Sequence, residues 1–330
     1  MTGTPPGVPG HGGNLARATA LYGEPEAGWI DLSTGINPEP YPFDPPPLAA
    51  MARLPEAADE AALADAAGRF YGTDGAVVPG AGSQAFIQLL PKLRPTGRMA
   101  VLSPTYAEHA HAWREAGHQV VEIAPDAELS GYDAVVAVNP NNPDGRRLTV
   151  DRLLELHGEL AARGGWLVVD EAFGDCEPLE SMAPYAGCAG LVVLRSFGKF
   201  FGLAGVRLGF ALTDTALASG LRRALGPWSV AGPAIAIGRQ ALADDDWHRQ
   251  TRARLAAARE RLDGLLAAGG HEVLGGTDLF RLVASEGADL HERLARAGIW
   301  TRAFEFDPDI LRLGLPGGET DWRRLAAALA

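Results

Sequence analysis

Lysine is nearly missing from this chain of 330 residues: Lys92 and Lys199 are the only two, although Lys and Arg together number 29. Any chemistry that needs a side-chain amine has two candidates. Cysteine is as scarce, with Cys176 and Cys188 alone, which excludes a disulfide framework or a cysteine-rich metal cluster and implies that both remain thiols. Basic charge is also in deficit, 29 Lys and Arg against 41 Asp and Glu for a formal net charge of -12. No cationic face is offered to nucleic acid or to an anionic membrane. No apolar run reaches the length of a membrane span, and residues 1–13, rich in Gly and Pro, lack the basic-then-apolar pattern of a signal peptide. The expected location is the cytoplasm, with no metal.

What is present suits a soluble enzyme. Apolar residues make up 47% of the chain, enough for a sizeable core, and the length predicts two domains at roughly 150 residues each. Residues 1–47 carry most of the early Pro and Gly and read as an extended arm. A large domain is expected over 48–226 and a small one over 227–330. Within the large domain, helical patterns at 57–71, 83–93 and 150–162 alternate with apolar runs at 99–104, 120–123, 133–138, 165–169 and 191–194. That alternation predicts an α/β fold with a mostly parallel sheet covered on both faces. Beyond residue 214, helices at 216–225 and 234–268 lead to short strands and helices, the pattern of a smaller α+β domain.

The chemistry is concentrated around Ser196-Phe197-Gly198-Lys199-Phe200-Phe201-Gly202, between an apolar run at 191–194 and a second that follows Arg207. A lysine among glycines and aromatics, between two buried strands, sits where desolvation makes an amine nucleophilic. Ser196, three residues before it, and Arg207, eight after, suit a single anion. Gly80-Ala81-Gly82-Ser83-Gln84 opens a helix with free backbone N–H groups, a second anion-binding signal. Tyr106 follows a strand, Asn142 lies in the Asn-Pro turn after another, and Asp170 ends a third, where open parallel sheets bind ligands. A buried Asp170 needs a cationic partner. In the arm, His11, Asn14, Ser33 and Asn37 offer more donors than a strap requires, and Arg302 and Arg312, on neighbouring short strands, suit an anionic substrate.

The spacing Ser-x-x-Lys-(x)7-Arg resembles the cofactor-lysine motif of the pyridoxal-phosphate aminotransferases of fold type I, and the whole chain is similar to the histidinol-phosphate aminotransferase kind. The opening, His11-Gly12-Gly13-Asn14 followed by Asp31-Leu32-Ser33-Thr34-Gly35-Ile36-Asn37-Pro38, resembles more closely the threonine-phosphate decarboxylase family of cobalamin biosynthesis. The resemblance implies a fold-type-I transferase architecture, pyridoxal 5'-phosphate as cofactor, a phosphorylated amino acid as small-molecule substrate, and a homodimer. Lys199 would hold the cofactor covalently, Asp170 would pair with its ring nitrogen, Asn142 would donate to its ring oxygen and Tyr106 would stack on the ring. Ser196, Arg207 and the Gly82-Ser83-Gln84 turn would bind its phosphate. Arg312 would take the substrate carboxylate and Arg302 a second substrate anion, with His11, Asn14, Gly35 and Asn37 completing the substrate contacts.

Two departures from the pattern stand out. Phe173 occupies a place where many relatives carry tyrosine, so a second hydrogen bond to the ring oxygen is missing, which leans away from transamination. Arg53-Leu54-Pro55 stands where relatives often have Arg-Tyr-Pro, whose tyrosine reaches the cofactor phosphate of the partner subunit. Decarboxylation and transamination use the same cofactor residues, and which Cα bond stands perpendicular to the ring decides between them. A histidinol-phosphate aminotransferase is therefore the alternative, and a catalytically silent binding module of the same fold is a third reading, against which intact Lys199 and Asp170 argue.

Overall fold

The computed structural model describes residues 12–177, 180–286 and 289–330. In chain order the first elements are α1 (Leu15–Tyr22), β1 (Ile30–Asp31), α2 (Leu48–Ala52), α3 (Ala57–Tyr71), β2 (Ala76–Gly80), α4 (Ser83–Leu89) and β3 (Arg98–Leu102). Next come α5 (Glu108–Glu115), β4 (Gln119–Ile123), β5 (Ala134–Val138), α6 (Val150–Ala161), β6 (Trp166–Asp170), β7 (Leu191–Ser196), α7 (Phe197–Phe200) and β8 (Gly209–Thr213). The remainder comprises α8 (Thr215–Leu225), α9 (Gly232–Leu242), α10 (Asp245–Ala268), β9 (Val273–Thr277), β10 (Phe280–Ala284), α11 (Asp289–Arg296), β11 (Ile299–Trp300), β12 (Arg302–Ala303), β13 (Ile310–Gly314) and α12 (Glu319–Leu329). Among the described residues no helix is long and apolar enough to cross a membrane.

The chain divides into two compact units. The larger holds residues 40–142 and 147–249 and is built on a seven-stranded sheet of order β2-β8-β7-β6-β5-β3-β4. Only β8 runs against the others. The α/β class expected from the alternating pattern is what the chain adopts. Strand β5, Ala-Val-Val-Ala-Val, is buried on both faces, the composition of a central parallel strand. Alternate residues Val101, Val136, Val168, Val192 and Ala211 share one face and pack with Phe86, Leu90, Trp113 and Leu221. Each such side chain contributes about 1.5 to 3 kcal/mol by leaving water. Pro79, which cannot donate to a ladder, is tolerated because β2 is an edge.

The smaller unit holds residues 12–39, 143–146 and 250–330. Its four-stranded antiparallel sheet has the order β12-β13-β10-β9, and β1 pairs with β11 in parallel. Residues 143–146 belong to it because the Gly276 N–H donates to the Asp144 carbonyl at 2.9 Å.

Several expectations need revising. Residues 12–47, the described part of the expected arm, are not simply extended: α1 forms between Gly13 and Gly23, capped by Asn14, whose Oδ1 accepts from Arg17 N at 3.0 Å. Its Leu15, Ala18 and Tyr22 pack with Ala295 and Trp300, a tertiary contact invisible in a Gly- and Pro-rich stretch. The borders expected at 47 and 226 also differ from where contacts divide the chain, because α9 packs on α3 and stays with the larger unit. His11 lies outside the described residues.

Candidate functional site

Strand direction gathers the candidate cofactor residues. Strands β2, β3, β5, β6 and β7 all point the same way, so their carboxyl ends lie along one edge of the sheet, where β8, reversed, begins. The Gly82-Ser83-Gln84 turn follows β2, Tyr106 follows β3, Asn142 follows β5, Asp170 ends β6, Ser196 ends β7, Lys199 lies in α7 and Arg207 precedes β8.

Asp170 is buried at 3% exposure. Its Oδ1 accepts from the Ala172 N–H at 3.0 Å, and its Oδ2 lies 2.8 Å from His109 Nε2. His109, on α5, is the partner that sequence reasoning missed. No local signal marked it, because it meets Asp170 across 61 residues. A carboxylate offers about four lone-pair positions, so Asp170 retains capacity for a further donor.

The neighbouring turns are tied to one another. Thr105 Oγ1 donates to Asn141 Oδ1 at 2.5 Å, and Asn141 Nδ2 donates to the Pro104 carbonyl at 2.9 Å. Asn139 closes its own loop on Leu148 through both N–H and carbonyl. These two asparagines lock the strand ends from which Tyr106 and half-buried Asn142 project. The Gln84 side chain is committed elsewhere than to an anion: Nε2 donates to Glu108 Oε2 at 2.6 Å, and Oε1 accepts from the Tyr106 hydroxyl at 3.4 Å. Any anion contact by Gln84 is therefore left to its backbone.

Around the turn, space is reserved by glycine. Gly82 has φ +86°, and a Cβ there would stand 2.8 Å from Arg207 Nη2. A Cβ on Gly209 would stand 2.4 Å from the Ser83 nitrogen. The start of α4 thus lies against β8 with a guanidinium beside it. Arg207 itself is in the left-handed region at φ 54°, a costly conformation for a residue with a Cβ and one that clusters at functional sites. Ser196, buried, is the register partner of Gly209. A guanidinium, a hydroxyl and helix-start N–H groups brought to the same end of the sheet suit a phosphate. Lys199 Nζ stands 5.6 Å from the centroid of the Phe173 ring, within reach of a cation–π contact. Phe173 thereby meets the amine with a ring face.

Beneath this edge, buried Arg195 forms ion pairs with Glu171 and Asp175, and its guanidinium carbon lies 4.5 Å from the centre of the Tyr71 ring. Burial and the Asp175 charge push the Tyr71 hydroxyl pKa well up. The network joins the segments carrying Asp170 and Ser196.

In the smaller unit, Arg302 and Arg312 are direct cross-strand partners on β12 and β13. Arg312, 7% exposed, donates from Nη2 to the Ser33 carbonyl at 2.8 Å and lies over the Phe280 ring. Arg302 lies over Phe304. Ser33 accepts from Gly13 N at 2.7 Å and donates to Asp31 Oδ1 at 2.6 Å, so the two opening motifs are stitched together. Gly35 and Asn37 are buried in the same loop, Asn37 Oδ1 accepting from Glu39 N at 3.0 Å. Asn14 is occupied as a helix cap.

Comparison with known proteins places these features in context. Residues 51–329 match the family described as aminotransferase class I and II. The chain is 53% identical to a threonine-phosphate decarboxylase of Pseudomonas aeruginosa over 97% of this chain and 96% of that one. It is 44% identical to a threonine-phosphate decarboxylase of a Sinorhizobium species over 97% of each. Among solved structures it is similar to the histidinol-phosphate aminotransferase of Sinorhizobium meliloti in complex with pyridoxal-5'-phosphate. The TM-score is 0.78 at 21% identity, covering 100% of this chain and 97% of that one.

Proposed function

Because the chain belongs to the aminotransferase class I and II family, we propose that it is a pyridoxal 5'-phosphate-dependent decarboxylase of L-threonine O-3-phosphate, serving cobalamin biosynthesis. The observation that carries this reading is the agreement, along nearly the whole chain, with two threonine-phosphate decarboxylases. The residues fit the cofactor. Gly82, Ser83, Ser196 and Arg207 would hold its phosphate, buried Asp170 would meet the ring nitrogen, Asn142 the ring oxygen and Tyr106 the ring face. When bound, pyridoxal 5'-phosphate supplies an electron sink conjugated to the substrate's Cα.

The protein's own residues do the rest. Lys199 would hold the cofactor through Nζ until the substrate amine takes its place. Asp170, kept in place by His109 and the Ala172 N–H, holds a proton at the ring nitrogen, and a buried carboxylate is worth more there than in water. With the cofactor bound, the Cα carboxylate would leave as carbon dioxide, and Lys199, carrying the proton released by the substrate's ammonium group, would donate it to Cα in the carboxylate's place, giving (R)-1-amino-2-propanol O-2-phosphate. Arg302 and Arg312 stand directly opposite one another on β12 and β13, an arrangement that would suit an anionic substrate. Threonine phosphate brings two anions, a carboxylate for Arg312 and a phosphate for Arg302, and the substrate contacts expected of His11, Asn14, Gly35 and Asn37 are part of the same proposal.

The proposal includes a cytoplasmic homodimer. Support for the homodimer is the apolar surface on and after α2, where Leu48, Met51 and Leu54 are all more than half exposed. Incubating the cofactor-loaded protein with threonine phosphate and no 2-oxo acid tests the reaction. Sustained release of carbon dioxide and of the amino-alcohol phosphate is expected. Conversion of the cofactor to its amine form with glutamate, and no carbon dioxide, would transfer the protein to the aminotransferases.

A further inference from the structure

Lys199 sits in a helix of four residues, Phe197–Phe200. A single turn is marginal on its own, and its geometry has to be imposed by what lies behind it. Phe197, Phe200 and Phe201 are each 0% exposed, so the lysine is flanked on both sides by anchored rings. Phe201 is the centre of a column. It stacks on Phe197 with centroids 4.4 Å apart and planes at 16°, and on Trp247 with centroids 5.6 Å apart and planes at 8°. Phe200 closes on Trp247 edge-on at 5.3 Å. Tyr41 meets Trp247 edge-on at 5.1 Å, and its N–H donates to the Phe201 carbonyl at 2.9 Å. His248 lies against the same ring at 5.6 Å.

One carboxylate registers the outer end of this column. Asp244 Oδ1 accepts from the Trp247 N–H at 2.9 Å, capping the first turn of α10, and Oδ2 accepts from the Tyr41 hydroxyl at 3.3 Å. Two residues distant in sequence from Lys199 are thus fixed to each other and then to the ring that follows its turn. We propose that Trp247 and Tyr41, registered by Asp244, are positioning residues that set the direction in which Lys199 presents its amine. Aromatic pairs have preferred offset and edge geometries, so a ring column transmits orientation where an aliphatic core of equal volume transmits only burial. The inference rests on Lys199 being the cofactor lysine.

The test compares Trp247→Leu, Trp247→Phe and Tyr41→Phe with the wild type, each loaded with pyridoxal 5'-phosphate. Borohydride reduction followed by peptide mass analysis first asks whether the cofactor is fixed at Lys199 in the wild type; if it is fixed elsewhere, the proposed function fails and the column proposal with it. The second readout is the pH midpoint of the visible absorbance of the bound cofactor, which reports the proton shared with Nζ. For Trp247→Leu we expect a midpoint displaced by about half a pH unit or more and kcat lowered about tenfold, with KM within about twofold, because misorientation costs the reacting geometry rather than substrate affinity. Trp247→Phe should restore most of both. If Trp247→Leu or, where that variant does not fold, Tyr41→Phe lowers the melting temperature while leaving midpoint and kcat at wild-type values, the column is packing alone and the proposal is overturned.

Discussion

A carboxylate at the tip of a buried strand is expensive unless its environment compensates, and Asp170 is compensated twice, by the His109 ring and by a backbone N–H two residues on. Both partners constrain where the remaining lone pairs point, so the side chain arrives at the site already oriented. Substitution by asparagine keeps the shape and removes the charge. Asp170→Asn should therefore retain the cofactor, seen in its visible absorbance, while kcat falls by about a thousandfold, equivalent to about 4 kcal/mol. Steady-state kinetics with turnover within threefold of wild type would reduce Asp170 to a turn-forming residue. The histidine was not legible in advance for a plain reason: it joins Asp170 across 61 residues, and local spacing carries no record of such a pairing. The lysine motif was legible because Ser196, Lys199 and Arg207 lie close together in sequence, between the end of β7 and the start of β8.

Elements show the same division between local and distant causes. The central strands were readable because each is a short run of apolar residues, as in Leu191–Ser196, with no alternation to confuse with a helix. Helix α5 went unread: in Glu-His-Ala-His-Ala-Trp-Arg-Glu the polar residues mask the buried stripe of Ala112 and Trp113, and only packing on the sheet makes it a helix. At the junction of α9 and α10, Tyr41 illustrates how packing also writes a pH dependence. Burial, then the Asp244 charge and hydrogen bond, push its hydroxyl from 10.0 to about 12. The folded state therefore keeps a proton that the unfolded chain releases first. The resulting stability is fully present below pH 10.0 and is lost as pH rises towards about 12. Melting temperatures across this alkaline range should fall less steeply for Tyr41→Phe than for wild type, with Tyr71, likewise raised, sustaining part of the decline in both. Parallel curves would show that Tyr41 has no share in it.

At the scale of the whole molecule, the apolar surface on and after α2 is the feature that a lone copy explains least. Leu48, Met51 and Leu54 are exposed at 76%, 60% and 63%, and large side chains grouped in this way mark contact sites on soluble proteins. Under the proposed homodimer, the wild type should sediment as a dimer and Met51→Glu combined with Leu54→Glu as a monomer; an unchanged sedimentation coefficient would remove this surface from the proposal. The scarcity of lysine has a different consequence. Lys92 is exposed on the surface turn after α4, whereas Lys199 is half-buried behind its aromatic neighbours. An amine-acylating reagent should add two side-chain tags to the cofactor-free chain and one to the loaded chain, with the tag on Lys92 in both. The difference, read on an intact-mass spectrum, makes the protein its own gauge of how many of its sites are filled.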